Sequence, residues 1–370
     1  MRLLLCGGGT AGHVNPAIAI AEELRASHSD SEILFIGRED GNENSLISDA
    51  GFKFRTLKIK GIKRSLSTEN IKRALNAIKS IAKAKEIIKE FSPDVILGTG
   101  GYVCWPVILA GKKMGIPIAI HESNITPGLT TKLLAKKSDI VFLNHDATKN
   151  HLPKKVNAIT VGNPLRRSFK KTSRNDARQT LGISEKELLI LSFGGSIGAE
   201  KMNEVIIEVI KDFSSKEKSI KHIHAVGKRY FNEIKQRKEE YPRCKILPFI
   251  DDMPTLMRAA DIVICRCGAM TLSEICEVGV ASILIPSPNV TGNHQYKNGK
   301  YLENMGGAIL IEEENLSKET LISAIKMLKN DEFGRKTRAK KSKALSVKNS
   351  EKVILKELFL LKNGRKRVVF

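Results

Sequence analysis

A histidine directly after a run of glycines is the strongest chemical signal in the chain. Gly7-Gly8-Gly9-Thr10-Ala11-Gly12-His13 follows the short apolar run Leu3–Cys6, so backbone N–H groups and an imidazole meet where a strand gives way to a helix. Such a turn suits a phosphate or diphosphate. The positive helix end disfavours the imidazolium, which keeps His13 neutral and able to accept a proton, with Pro16 read as part of the tolerant first turn. The run also matches G-x-G-x-x-G formally, but Ile36-Gly37-Arg38 ends the second strand without the acidic residue a ribose diol needs. NADP with Arg38 on its phosphate stays open as an alternative, and no Gly-Lys-[Ser/Thr] follows to make a Walker A loop.

Other strand ends carry polar side chains. Asp94–Tyr102 runs into a second glycine turn, and Ile118-Ala-Ile ends in His121-Glu122-Ser123-Asn124, where Ser123 or Asn124 also reads as a helix cap. Ile262–Cys265 leads into Arg266-Cys267-Gly268-Ala269-Met270-Thr271-Leu272-Ser273-Glu274, again strand, small-residue turn and helix start. Arg266 there is a counter-charge for a phosphate. Glu274 can accept two hydrogen bonds from a ribose diol, or simply suit the helix dipole. The loop Pro286–Gln295 is polar, with side chains fit for a sugar or for plain surface.

Positioning these residues takes alternating strands and helices. Apolar runs at Leu3–Cys6, Ile33–Ile36, Val95–Leu97, Ile116–Ile120 and Ile140–Leu143, then Leu188–Phe193, Ile220–Val226, Lys245–Leu247, Ile262–Cys265 and Ser282–Ile285, predict βαβ units around parallel sheets. The first glycine turn recurs: Gly8-Gly9-Thr10-Ala11-Gly12 is echoed by Gly194-Gly195-Ser196-Ile197-Gly198, close to half of the 370 residues further on. Two Rossmann-like domains in tandem follow, with a cleft expected between sheets that bind ligands at their carboxyl edges. The expected domains are 1–163, 164–345 and a terminal segment 346–370, the basic stretch Arg166–Glu187 forming the joint.

Composition bounds the partners. There are 62 Lys+Arg against 40 Asp+Glu, a formal charge of +22, in a chain that is 41% apolar and 28% charged. A folded protein with that surplus points to an anionic partner: nucleic acid, a phosphorylated ligand or an acidic membrane face. Aromatics are only 5% and nearly absent from the basic segments, which argues against nucleic acid. No run approaches a membrane span, and the apolar start Leu3–Leu5 is too short for a signal segment, so a cytoplasmic location is expected. Cys6, Cys104, Cys244, Cys265, Cys267 and Cys276 are scattered and read as free thiols, and no metal site is assigned.

Taken in order, Gly8-Gly9-Thr10-Ala11-Gly12-His13, Gly100-Gly101-Tyr102, His121-Glu122-Ser123-Asn124, Gly162-Asn163-Pro164-Leu165-Arg166, Gly194-Gly195-Ser196-Ile197-Gly198-Ala199, Phe249-Ile250-Asp251-Asp252-Met253 and Arg266–Glu274 resemble the membrane-associated N-acetylglucosaminyltransferases of peptidoglycan synthesis. The resemblance covers residues 1 to about 305. It implies a GT-B fold and inverting transfer of GlcNAc from UDP-GlcNAc to the 4-hydroxyl of MurNAc in lipid I, giving lipid II. The N-terminal domain would take lipid I and the C-terminal domain the UDP-sugar, with no cofactor required and a helix at Glu351–Leu361 packing back on the first domain. His13 would be the catalytic base. Ser196 and Arg266 would serve the UDP phosphates, Ala269, Met270 and Thr271 the same helix start, Glu274 the ribose, and Arg166 and Ile250 the uracil surroundings. Asn124 and Gln295 would hold GlcNAc, Thr10, Ala11 and Gly12 would line the cleft, and Tyr102 and Glu122 would lie on the acceptor side. His294 stands where the family pattern has glutamine, and Ala11 replaces a frequent glycine.

Lys60 to Phe91 carries nine Lys/Arg against Glu69, Glu86 and Glu90, with Ile71, Leu75, Ile78, Ala82 and Phe91 at helical spacing. That stripe reads either as packing on the domain's own core or as a peripheral contact with the anionic cytoplasmic membrane surface. A transferase for another nucleotide sugar or lipid acceptor is the rival of the same fold. An NADP oxidoreductase leaves the second glycine turn unexplained.

Overall fold

The computed structural model describes residues 1–41, 43–59, 68–195, 198–236, 241 and 243–364, with the side chains of 68–77 and 235–236 excepted. The chain divides into two units, Met1–Arg167 joined by the C-terminal segment from Val347, and Ser168–Ser346.

The first unit is built on a parallel sheet of order β3-β2-β1-β4-β5-β6-β7: β1 (Arg2–Cys6), β2 (Glu32–Arg38), β3 (Lys53–Leu57), β4 (Val95–Gly98), β5 (Ile118–Glu122), β6 (Ile140–Leu143) and β7 (Ala158–Thr160). Its central strands are buried on both faces, which is why they read as unbroken apolar runs. Side chains alternate across the sheet. Leu3, Leu5, Val95, Leu97 and Phe142 meet Val14, Ile18 and Leu24 of helix α1 (Ala11–Ser27), together with Ile354, Leu355 and Leu358 of the terminal helix Ser350–Lys362. Leu4, Cys6, Ile96 and Ile120 face the other way. On that opposite face Ile87 and Ile88 of α3 (Thr68–Phe91) and Val107 and Ile108 of α4 (Cys104–Lys113) fill the second layer, whereas the short helix α2 (Glu43–Asp49) sends Ile47 to the first.

The first unit runs past residue 163 because its side chains hold the chain there. Glu351 of the terminal helix accepts the Leu165 N–H at 2.6 Å, and Glu22 of α1 takes Arg166 Nε at 3.1 Å and the Arg167 N–H at 3.3 Å. Arg166, expected among the residues of the second domain, thus belongs to the first. Pro16 also differs from expectation. Helix α1 starts at Ala11 after the N-cap Thr10, so Pro16 lies in the second turn and withholds the N–H that would bond the Gly12 carbonyl.

The second unit repeats the plan with order β10-β9-β8-β11-β12-β13, again parallel: β8 (Leu188–Phe193), β9 (Ile220–Ala225), β10 (Cys244–Leu247), β11 (Ile262–Cys265), β12 (Ala281–Leu284) and β13 (Ala308–Leu310). Helices α5 (Glu200–Val209), α6 (Ala269–Val278), α7 (His294–Asn304) and α8 (Glu332–Ala344) matter below. Among the described residues no helix is long and apolar enough to cross a membrane.

Candidate active site

In the first sheet the strand order reverses between β1 and β4, the position where open α/β sheets form their ligand crevice. The turns leaving those two strands enclose His13. Its Nδ1 lies 3.0 Å from the Gly8 carbonyl and 3.4 Å from Thr10 Oγ1. A carbonyl can only accept, so Nδ1 carries the hydrogen in the neutral ring and Nε2 is the basic nitrogen. From β4, the Thr99 hydroxyl donates to the His13 carbonyl at 2.6 Å, and the Gly8 N–H donates to the Gly100 carbonyl at 3.2 Å. Gly100 has φ +116°, and a Cβ there would stand 2.5 Å from His13 Cδ2 and 3.1 Å from Nε2. Only glycine lets the β4 turn close on the imidazole edge. Thr10, Ala11 and Gly12 form the start of α1 beside the ring, and Tyr102 is exposed.

At the end of β5, Glu122 is buried and its carboxylate is spent on the chain itself. One oxygen accepts the Asn124 backbone and side-chain N–H groups, both at 2.9 Å; the other accepts the Gly128 N–H at 2.9 Å and the Thr131 hydroxyl at 2.5 Å. Glu122, expected on the acceptor side, shapes the loop that presents Asn124. The neighbouring His121 is lowered by burial, against the pull of the Gly162 carbonyl and the Glu122 charge, and its neutral ring donates Nε2–H to Gly162 at 3.1 Å.

In the second sheet the reversal falls between β8 and β11. Ser196 lies outside the described residues, so its expected phosphate contact is left to the sequence. Arg266, at the end of β11, donates to the Ile285 and Pro286 carbonyls at 3.3 and 3.2 Å and pairs with Glu313. Its charge is therefore partly answered within the protein. Ala269, Met270 and Thr271 form the first turn of α6 after the N-cap Gly268, and Glu274 is buried one turn on. Gln295, in the first turn of α7, accepts the Ser287 N–H at 2.9 Å and so anchors the polar loop. His294 Nδ1 is 2.9 Å from the Thr291 carbonyl. Ile250 is a buried core residue. A cavity of about 310 Å³ beside this loop is lined by Lys201, Ser287, Asn293, Tyr296 and Glu312–Glu314. Among the described residues no cluster of three His, Cys, Asp or Glu has the makings of a metal site.

Sequence reasoning missed three residues: Thr99, Glu313 and Glu43. Thr99 sits in a strand-end motif and could have been read. Glu313 stands in a run of three acids, Glu312–Glu314, and Glu43 in the polar segment 38–44, where no periodicity marks a partner.

The glycosyltransferase family 28 N-terminal domain matches residues 3–143, and the family's C-terminal domain matches 189–357. The chain is 40% identical, over 95% of its length and 95% of the relative's, to a UDP-N-acetylglucosamine--N-acetylmuramyl-(pentapeptide) pyrophosphoryl-undecaprenol N-acetylglucosamine transferase of Acetivibrio thermocellus. It is 36% identical, over 99% and 100%, to the protein of the same name from Bacillus licheniformis. Among solved structures, MurG of Acinetobacter baumannii superposes with a TM-score of 0.74 at 25% identity, covering 97% of this chain and 99% of that one. A UDP-GlcNAc 2-epimerase from Neisseria meningitidis bound to UDP-GlcNAc, 16% identical with a TM-score of 0.69, shares the fold. With both halves matched by its domains and close relatives along the whole length, the chain is a GT-B glycosyltransferase of family 28 and belongs to its N-acetylglucosaminyltransferases of peptidoglycan synthesis.

Proposed function

We propose that the chain performs inverting transfer of GlcNAc from UDP-GlcNAc to the MurNAc 4-hydroxyl of undecaprenyl-pyrophosphoryl-MurNAc-pentapeptide, with His13 as base. The observation that carries the residue assignment is the enclosure of His13, whose Nδ1–H is committed to the Gly8 carbonyl so that Nε2 is the proton acceptor. Nε2 takes the hydroxyl proton as that oxygen forms a bond to C1 of GlcNAc. The bond from C1 to the β-phosphate oxygen breaks, and its electron pair leaves with UDP. The first turn of α6 and Arg266 favour the charge that builds on the diphosphate, Arg266 exchanging Glu313 for phosphate oxygens. Ser196 is the further phosphate contact, Glu274 the ribose contact, and Gln295 a contact to the sugar. Asn124, set by Glu122, is likewise a contact to GlcNAc, and Tyr102 one to the acceptor.

Peripheral docking on an anionic membrane surface is part of the same reading, since the acceptor is lipid-linked. Of the apolar stripe on α3, Ile78 is 63% exposed and Ala82 is exposed too, flanked by exposed Lys79, Lys83, Lys85 and Lys89. Ala84, Ile87 and Ile88 pack on the core, and Phe91 of the stripe packs with them. Ile71 and Leu75 fall on side chains outside the described set.

His13→Ala tests the base. Turnover with a lipid-linked MurNAc acceptor is expected to fall about 10²- to 10⁴-fold while calorimetric UDP-GlcNAc affinity stays as in the parent. Near-normal turnover with intact donor binding would reject His13 as the base.

A further inference from the structure

We propose that Glu43 is a positioning residue for the base, holding the glycine loop so that the Gly8 carbonyl fixes the tautomer of His13. The inference rests on His13 being the base.

Glu43 opens the short helix α2, on the polar stretch after β2, and is 2% exposed. A buried carboxylate is costly unless hydrogen bonds and charge answer it. Here the Arg38 N–H and Arg38 Nε donate to Oε1 at 3.1 and 3.2 Å. Burial alone would push the carboxyl up. The amides of Glu43 itself, Arg38 and Gly9, with the Arg38 guanidinium, outweigh it and hold the group below its ordinary value, so it is an anion at neutral pH.

Three glycines make room for this anion. A Cβ on Gly8 would overlap Oε1, one on Gly41 would overlap the whole carboxyl group, and one on Gly37 would crowd Cγ at 3.2 Å. The carboxylate therefore rests directly on the backbone of Gly8 and draws the Gly9 amide toward itself. Gly8 is the residue whose carbonyl meets His13 Nδ1 at 3.0 Å and whose N–H meets the Gly100 carbonyl. Glu43 thus sits behind the loop as an internal anion, in the kind of amide cradle that elsewhere takes a phosphate. Arg38, free to hold a cofactor phosphate in a sequence reading, is instead Glu43's counter-ion. None of these groups needs to touch either substrate. Their effect on the reaction passes through one carbonyl.

Glu43→Gln keeps the shape and removes the charge. A relaxed loop weakens the Nδ1–H bond to Gly8, which stabilises the imidazolium more than the neutral ring. The variant should lose about ten- to a hundredfold in kcat with little change in the KM for UDP-GlcNAc, as for a base displaced by a fraction of an ångström to 1 Å. The acidic limb of its pH–kcat profile should move to lower pH. Histidine-selective ¹⁵N spectra, with the His13 signal assigned by its loss in His13→Ala, should change from the Nδ1–H tautomer to a mixture. Parent-like kcat, or a lower kcat with the limb and the tautomer signal unchanged, would overturn the inference. If Glu43→Gln does not fold, Arg38→Gln, which keeps the carboxylate and removes its Nε–H donor, should shift the limb and the tautomer signal the same way, and no shift would overturn the inference. Retained turnover in His13→Ala would instead reject the base itself, so the two failures are distinguishable.

Discussion

Ser192 Oγ lies between two histidines inside the second sheet, 2.8 Å from His222 Nε2 and 2.9 Å from His224 Nδ1, and His222 Nδ1 is 3.0 Å from Ser214 Oγ. All four residues are fully buried. Burial, with the neighbouring His224 adding to it, lowers His222 to about 3; burial, opposed by the Ser192 carbonyl, lowers His224 to about 4. Both rings are therefore neutral in the folded unit across the physiological range, while in the unfolded chain they take up protons below about pH 6.5. The unfolded state binds more protons there, so stability falls with pH from about 6.5 down through the folded values. Between pH 6.5 and 5 the loss is about 2 kcal/mol for each histidine. His222→Gln keeps a polar partner for Ser192 and removes one titration. Its urea midpoint, followed from pH 7 to 5, should fall less steeply than the parent's by one histidine's share, and an identical slope would contradict the burial argument. These residues carry no catalytic signal, and their sequence, Ile220-Lys-His-Ile-His-Ala225, gives away the strand but not the network. His13, the proposed base, stands out in the sequence because it directly follows a glycine turn at a strand end. Glu43 does not, since its partners Arg38 and Gly8 are set by the return of the chain from β2 rather than by any spacing.

At the scale of elements, the central strands were legible and the edges were not. Each of the ten apolar runs became a strand, whereas β3, β7 and β13 were not expected. All three lie at sheet edges. β3 alternates exposed and half-buried residues, and β7 and β13 are only three residues long, so burial leaves little apolar signature on them. The domain plan was legible because the glycine turn repeats; the joint fell later than 163 because Glu351 and Glu22, both far away in sequence, fasten Leu165–Arg167. Helix α3 shows the opposite ambiguity: of the stripe that helical spacing picks out, Ile78 and Ala82 face outward while Phe91 packs on the core. A helix with outward Ile78 and Ala82 among lysines fits an anionic bilayer surface, where each nearby base contributes about 1 kcal/mol before screening. In a sedimentation assay with vesicles containing phosphatidylglycerol, binding should weaken as salt rises, and Ile78→Glu should weaken it further at every salt concentration. Salt-independent binding, or binding unaffected by Ile78→Glu, would rule out this helix as the docking face.

Over the whole molecule, one plan is used twice. Each unit reverses its strand order beside its first strand and follows that strand with a glycine turn, but the chemistry placed there differs. The first unit supplies a half-buried imidazole with a defined basic nitrogen, and the second supplies a helix N-terminus, an arginine held by Glu313 and a glutamine that anchors a polar loop. Direct displacement at a sugar carbon requires a proton acceptor and anion-stabilising groups, the roles proposed for these residues. The net charge of +22 fits the proposed diphosphate contacts and the proposed basic docking surface on α3. Direct displacement leaves a stereochemical record, because the departing UDP and the incoming hydroxyl occupy opposite faces of C1. The decisive measurement is the anomeric configuration of the newly formed disaccharide, read from the H1–H2 coupling in the NMR spectrum of the product made by the purified protein from UDP-GlcNAc and a lipid-linked MurNAc acceptor. A β linkage is the predicted result, and an α linkage would contradict base-assisted displacement by His13.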